Sequence, residues 1–403
     1  MRKLAFLLTA VAMLLLSGCS AIAEVQRRIV VHAVGIDSHE KGYEVSYQVF
    51  SGGSSDGAPV DADESTVMTL LAQGQTLYET EESLRLQTGK DVFLGDAELI
   101  VISEELKDID LTEFLNYFRL SDIYLGVNVV YCEGKAKDTI GAKLQQGSAT
   151  AILLRGVVEQ AIEKSRAQSA RIIEIYTALE RDNEAIAIPV LTLKKGDDKK
   201  EEQGGGSSGK SGEDGGSGGS SDKSGEGGSS SGDSKESKGD DSTISDTDIG
   251  VFSSMLILPN GEPQELSTDE VTGLRLLRAD AKELTLETPV PQGTASVELI
   301  NIKIKRSLTI KNSIPELKVK INGEYHIRSS PTDADEDEIR LAAQNQLIEL
   351  CQSAVPTLQI ADTLEIAKML WKYQTKYAKT LNGDFTDVIP KTTVSVEARL
   401  QKY

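Results

Sequence analysis

The chain has 403 residues, enough for two or three domains, and 39% are hydrophobic, so most of it can bury a core. A formal net charge of -20 and a pI near 4.7 exclude the basic face that nucleic acid requires, so no DNA or RNA partner is expected. The same charge argues against a polybasic patch for anionic lipid.

Something other than charge must therefore hold this chain to a membrane, and the first residues supply it. Met1-Arg2-Lys3 is a short positive start, and Leu4 to Leu16 is an apolar run too short to span a bilayer as a helix. Leu16-Ser17-Gly18-Cys19 follows, with the apolar-small-small-Cys pattern of a bacterial lipobox. Small residues admit a peptidase before the cysteine, and the thiol of Cys19 is expected to carry diacylglycerol, with a further N-acyl chain after cleavage. Several acyl chains anchor stably where one is marginal. Residues 1–18 are thus expected to be a signal peptide and 19–28 a lipid anchor and tether, which places the body on the outer face of a membrane.

Ile29 to Asp37 reads as a strand, and Tyr43 to Val49 alternates strictly, so a hairpin with a turn at 38–42 is expected. Ser51 to Glu64 reads as a polar loop, and Val67 to Leu86 as a helix. A strand at Ala97 to Ser103, a helix at Leu111 to Leu120 and a strand at Gly126 to Tyr131 follow. Val157 to Arg181 reads as one long helix, with Ile172, Ile175, Tyr176 and Leu179 on one stripe. Ala185 to Leu193 closes an N-terminal domain drawn at 29–193.

The stretch 194–248 is nearly all Gly, Ser, Asp, Glu and Lys and cannot bury enough apolar surface to fold. It is expected to be a disordered linker, although such a loop costs little when it joins neighbouring strands. A middle region at 249–290 holds a strand (Ile249 to Leu258) and a helix (Thr268 to Leu277). A C-terminal domain at 291–403 follows. It has a long antiparallel pair (Val297 to Ile310 and Leu317 to Ile327), helices at Asp335 to Val355 and Ala361 to Leu381, and a last strand at Thr392 to Leu400. Strands and helices mix without a βαβ rhythm. The expected class is α+β, with mixed or antiparallel sheets and packed helices.

No constellation for chemistry emerges. Among His32, His39 and His326 no pair has metal-ligand spacing, and neither a nucleophile elbow nor a phosphate loop is present. The acidic run Asp333-Ala-Asp-Glu-Asp-Glu338 sits where a helix begins and suits its dipole. Cys132 and Cys351 could pair in an oxidising compartment, but two cysteines give no spacing pattern, and the plainer reading is two separate buried thiols. No catalytic residue, cofactor or metal is expected; Cys19, with Leu16, Ser17 and Gly18 before it, is the one site.

Several stretches resemble the Ger(x)C family of spore germination lipoproteins, the C subunits of germinant receptors. They are Ile29-Val-Val-His-Ala-Val-Gly-Ile-Asp37, Tyr43-Glu-Val-Ser-Tyr-Gln-Val-Phe50, and Asp91-Val-Phe-Leu-Gly-Asp-Ala-Glu-Leu-Ile-Val-Ile-Ser-Glu-Glu-Leu106. Tyr117-Phe-Arg-Leu-Ser-Asp122 and Tyr131-Cys-Glu-Gly-Lys-Ala136 continue the series. Beyond the linker come Gly250-Val-Phe-Ser-Ser-Met-Leu256, Thr268-Asp-Glu-Val-Thr-Gly-Leu274, Lys303-Ile-Lys-Arg306 and Pro315-Glu-Leu-Lys-Val-Lys-Ile321. Asp96 stands where the family has a histidine, and Ala361-Asp-Thr-Leu364 lacks the family's glycine. The resemblance implies a three-domain, non-enzymatic subunit, lipid-anchored at the spore inner membrane beside an A subunit and a transporter-like B subunit that senses nutrients. The alternatives are a lipid-anchored solute-binding protein of a transporter, which would need a regular two-lobed pattern, and an envelope enzyme.

Overall fold

The computed structural model describes residues 27–50, 67–144, 147–148, 150–180, 184–195, 247–258 and 261–403. Among these residues fifteen strands and nine α-helices form a mixed α+β architecture around two main sheets.

The nine-stranded sheet is built on β1 (Arg28–His39), β2 (Gly42–Phe50), β3 (Val67–Gly74), β4 (Asp91–Phe93), β5 (Leu99–Ser103), β6 (Asn128–Cys132), β9 (Ile186–Lys195), β10 (Thr247–Ile257) and β11 (Gln264–Ser267). Its order is β11-β10-β9-β6-β5-β1-β2-β3, with β4 beside the start of β1. The centre is parallel: β1, β5, β6 and β9 run the same way, and antiparallel strands finish both edges. All five residues of β5 are buried, as expected of a parallel strand covered on both faces. Ile100 and Ile102 enter one core, while Leu99 and Val101 enter the core on the opposite face. The first face is covered by α1 (Leu77–Thr88), α2 (Leu111–Leu120) and α5 (Ile172–Leu179), the second by α3 (Ala136–Ile140) and α4 (Ala151–Glu163). The two-residue strands β7 (Lys143–Leu144) and β8 (Gly147–Ser148) pair with each other. The β1–β2 hairpin closes on Gly42, whose φ of 131° and close approach to the Gly74 carbonyl exclude a side chain.

The second sheet, β12 (Leu284–Val290), β13 (Gly293–Lys311), β14 (Ile314–Ser329) and β15 (Thr393–Lys402), runs in that order, antiparallel except for β14 beside β15. Its inner face packs on α6 (Thr268–Arg278), α7 (Glu336–Ala354), α8 (Ile366–Tyr373) and α9 (Thr375–Thr380).

Several expectations need correction. Residues 67–86 are not one helix: Val67–Gly74 pairs with Tyr43–Phe50 of β2, and the helix starts at Leu77 behind the Thr76 cap. A short apolar run does not distinguish helix from strand, and β2 supplies the partner that decides. The long helix at 157–181 is also two helices. α4 ends at Glu163, Ser165 adopts φ 59°, and α5 begins at Ile172 behind Arg171. The predicted stripe survives on α5, where Ile172 and Ile175 are buried. Residues 361–381 likewise divide into α8 and α9 at Gln374.

The middle region at 249–290 is shared between the two sheets. β10 and β11 complete the large sheet, α6 packs on α7, and β12 opens the second sheet. β9 and β10 are antiparallel neighbours from Lys195↔Thr247 to Ile186↔Ile257, so the chain that leaves the large sheet returns to it. Four residues assigned to the linker, 194, 195, 247 and 248, therefore belong to strands. The rest of that stretch, the loop at 51–64 and the N-terminal 26 residues lie outside the described residues.

Candidate functional site

The lipobox residues Leu16, Ser17, Gly18 and Cys19 precede the first described residue, Arg27. β1 starts nine positions after Cys19, so a tether of that length would reach about 30 Å at most. Among the described residues no helix is long and apolar enough to cross a membrane.

Beside the start of β1 lies a groove of about 770 Å³, walled by β4, α1 and α2. Its apolar floor is aromatic: Phe114 meets Tyr43 at 6.1 Å and Phe118 at 5.8 Å, each edge-on. Its polar wall is a chain of ionic contacts. The Tyr117 hydroxyl donates to Glu81 Oε2 at 2.7 Å, Glu81 meets Arg85 at 3.0 Å, and Arg85 reaches Glu82 at 2.8 Å and Asp91 at 3.3 Å. Burial pushes the Tyr117 hydroxyl far above its ordinary value, so it remains a neutral donor. The Arg28 guanidinium lies 5.4 Å from the Phe93 ring centre. The groove has the size and mixed lining of a ligand or peptide site. Its lining includes no histidine and no cysteine. Its lining comes from five separate stretches of chain, and although Tyr43, Asp91 to Leu94 and Tyr117 to Asp122 fall in family-like stretches, no local pattern marks them as one pocket.

The histidines are not brought together. His32 lies in β1, where burial lowers its pKa against the pull of Asp96 and Glu98. Asp96 thus acts on His32. His39 is the last residue of β1, where its Nδ1 accepts from the Lys41 amide of the turn at 3.4 Å. His326 packs on Tyr403 with ring centres 4.4 Å apart. Among the described residues no group of His, Cys, Asp and Glu could hold a metal ion. The acidic run at 333–338 starts a helix: Asp335 caps α7 through the Glu338 amide, and Glu336 accepts from Tyr325 and Lys402. Cys132 and Cys351 are free and buried in different cores, and burial pushes each thiol up to about 12.

The family-like stretches carry structural polar work instead. Asp37, buried at the end of β1, accepts from the Ala136 and Lys137 amides at 2.7 and 3.0 Å and so holds α3. Burial raises its carboxyl above the ordinary value, against the pull of those amides and of Lys135 and Lys137. Gln48 donates to the Ile140 carbonyl and accepts from the Ala151 amide, joining β2 to α3 and α4. Ser103 donates to the Gly134 carbonyl, and Thr192 to Glu133.

Past the linker, the stretch 268–274 forms the seam between the two sheets. Ser267 and Glu270 make a capping box at the start of α6. Gly273 lets α6 lie against α7 so closely that an added Cβ would stand 1.9 Å from the Leu350 carbonyl oxygen. Arg275, 4% exposed, donates to the carbonyls of Ile162, Ala167 and Asp280. In the second body, Arg306 donates to the Leu364 carbonyl and faces Glu365 at 3.6 Å. Asp362 accepts from the Ile366 and Ala367 amides at 2.6 and 2.7 Å, so the stretch Ala361-Asp-Thr-Leu364 caps α8.

The family model for the spore germination protein N-terminal domain matches residues 22–193, and the model for the spore germination B3/GerAC-like C-terminal domain matches residues 263–401. A solved structure, "Crystal Structure of the GerBC protein", shares this fold with a TM-score of 0.53 at 13% identity. The match covers 92% of this chain and 96% of that one. No curated protein matches the sequence.

Proposed function

We propose that this chain, which belongs to the GerAC-like family of spore germination proteins, is the membrane-anchored, non-catalytic C subunit of a spore germinant receptor. On this reading it is needed for the response of spores to nutrient germinants. It works beside A and B membrane subunits at the spore inner membrane, held there by acyl chains on Cys19 and without a cofactor.

The observation that carries the reading is the ordered pair of family matches on either side of the β9–β10 connection. The site chemistry agrees with it. The buried polar groups at the strand ends and at the seam are engaged in holding elements together, and the groove offers recognition surface without an acid-base pair that geometry marks. A transporter's solute-binding protein would hold its ligand between two similar lobes. Here the groove lies within one body, between β4, α1 and α2.

The test is biochemical. Fatty-acid label is expected on the wild-type protein and absent from Cys19→Ala. Purification from spore membranes is expected to recover two multispanning proteins with the wild type. Label that persists on Cys19→Ala, or a lipoprotein that purifies alone, contradicts the reading.

A further inference from the structure

The inner face of the second sheet is apolar and covered, with Leu308, Leu317, Val319, Ile321 and Leu400 buried. On its outer face, from the middle of β13 onward, the charges are of one sign. Lys303, Lys305 and Lys311 on β13, Lys318 and Lys320 on β14, and Arg399 on β15 are all exposed. Only two carboxylates share this half of the face, Glu316 and Glu397. Among the described residues its ion pairs are Lys320–Glu397 at 3.0 Å and Lys311–Glu316 at 3.7 Å. Lys305 stands directly opposite Lys320 across the antiparallel pair, a placement in which like charges repel. Nothing in the fold of the sheet requires this arrangement, because the outward positions make no core contacts.

We propose that this basic half-face docks on the headgroup layer of an anionic phospholipid membrane. The proposal rests on the anchoring reading for its setting, since acyl chains on Cys19 would confine the protein to a lipid surface. The chemistry favours lipid over an acidic protein. The cations are five lysines and one arginine on a flat sheet, with no large apolar side chain exposed among them. Protein interfaces concentrate their energy in buried aromatic and apolar anchors, which are missing here. Lysines on flexible stems suit a fluid layer of phosphate charge. Each such cation adds roughly fivefold to partition onto an anionic leaflet, and salt screens the effect beyond about 10 Å at 0.1 M. The net charge of -20 conceals this face, because it averages over surfaces that point in different directions.

The experiment uses the full lipidated protein, reconstituted into phosphatidylcholine vesicles with or without phosphatidylglycerol. A water-soluble amine reagent followed by mass spectrometry reads each lysine. Labelling of Lys303, Lys305, Lys318 and Lys320 is expected to fall several-fold on the anionic vesicles and to recover at high salt. Lys41 and Lys90, exposed on the first body, should label equally on both. In Lys318→Glu/Lys320→Glu, whose changes are on the solvent face, Lys303 and Lys305 should lose their lipid-dependent protection while the protein still floats with the vesicles. Equal labelling of the four lysines on both vesicle types overturns the proposal. Protection that appears only when other spore-membrane proteins are added overturns it in favour of an acidic protein partner. Flotation with neutral vesicles reads the acyl anchor separately, so failure of the anchor and failure of the sheet contact are distinguishable.

Discussion

In the large sheet both faces are covered by helices, and strands such as β5 are buried throughout. In the four-stranded sheet only one face is covered, and along β13, β14 and β15 exposed and buried residues alternate. The large sheet is therefore a framework whose polar residues, Asp37, Gln48 and Ser103 among them, face inward to fix helices and turns. The second sheet has a free face on which charge can be arranged for something outside the molecule. A surface fixed by packing has little freedom to carry function; a surface that packs on nothing has much more.

The seam between the two regions is where the comparison can be broken most severely. Gly273→Ala places a methyl group against the Leu350 carbonyl. Overpacking of this kind should cost about 3 kcal/mol, more than alanine's helix propensity returns. Hydrogen exchange should rise first in α6 and α7 and last in β5 and β6. An unchanged unfolding midpoint would mean that the helices separate freely.

Arg275→Met probes the same seam electrostatically. It leaves the carbonyls of Ile162, Ala167 and Asp280 without their shared donor. A loss of about 2 kcal/mol is expected, because buried acceptors without partners keep their desolvation cost. The sharper expectation is that denaturant unfolding divides into two transitions, one for each sheet. A single transition shifted as a whole would show that other contacts join the bodies, such as Lys164 with Glu283.

Much of the second sheet was legible because its one-sided burial writes a period of two into the sequence. Leu317, Val319 and Ile321 alternate with Lys318, Lys320 and Asn322, and the strand is where that pattern puts it. β12 carries the same signal in Leu284, Leu286, Thr288 and Val290, all buried, and reading it would have completed the sheet. The large sheet was harder. β3 follows an apolar run that fits a helix equally well, and only its partner β2, distant in sequence, decides. The break at Ser165 is set by contacts from residues 272 and 282, which no local window contains. The groove was invisible for the same reason, since its residues are assembled by topology. The basic half-face is written in Lys303-Ile-Lys-Arg306 and Lys318-Val-Lys320, but an overall charge of -20 masks such a local excess of cations.

The smallest effect concerns the β9–β10 connection. Lys195 pairs with Thr247, so the chain between them closes a loop on one sheet and does not separate two bodies. Deleting residues 200–240 should raise stability by about 1 kcal/mol through the shorter closure, with circular dichroism unchanged. A large loss of helix or strand signal would reveal an ordered element within that stretch.

The central claim is that this protein serves germination as a receptor subunit. Its most direct test is the nutrient response of spores from a strain lacking the gene. The account predicts normal sporulation and loss of the response to at least one nutrient, restored by the wild-type gene and weakened with Cys19→Ala. Spores that respond normally to every nutrient tested would contradict it.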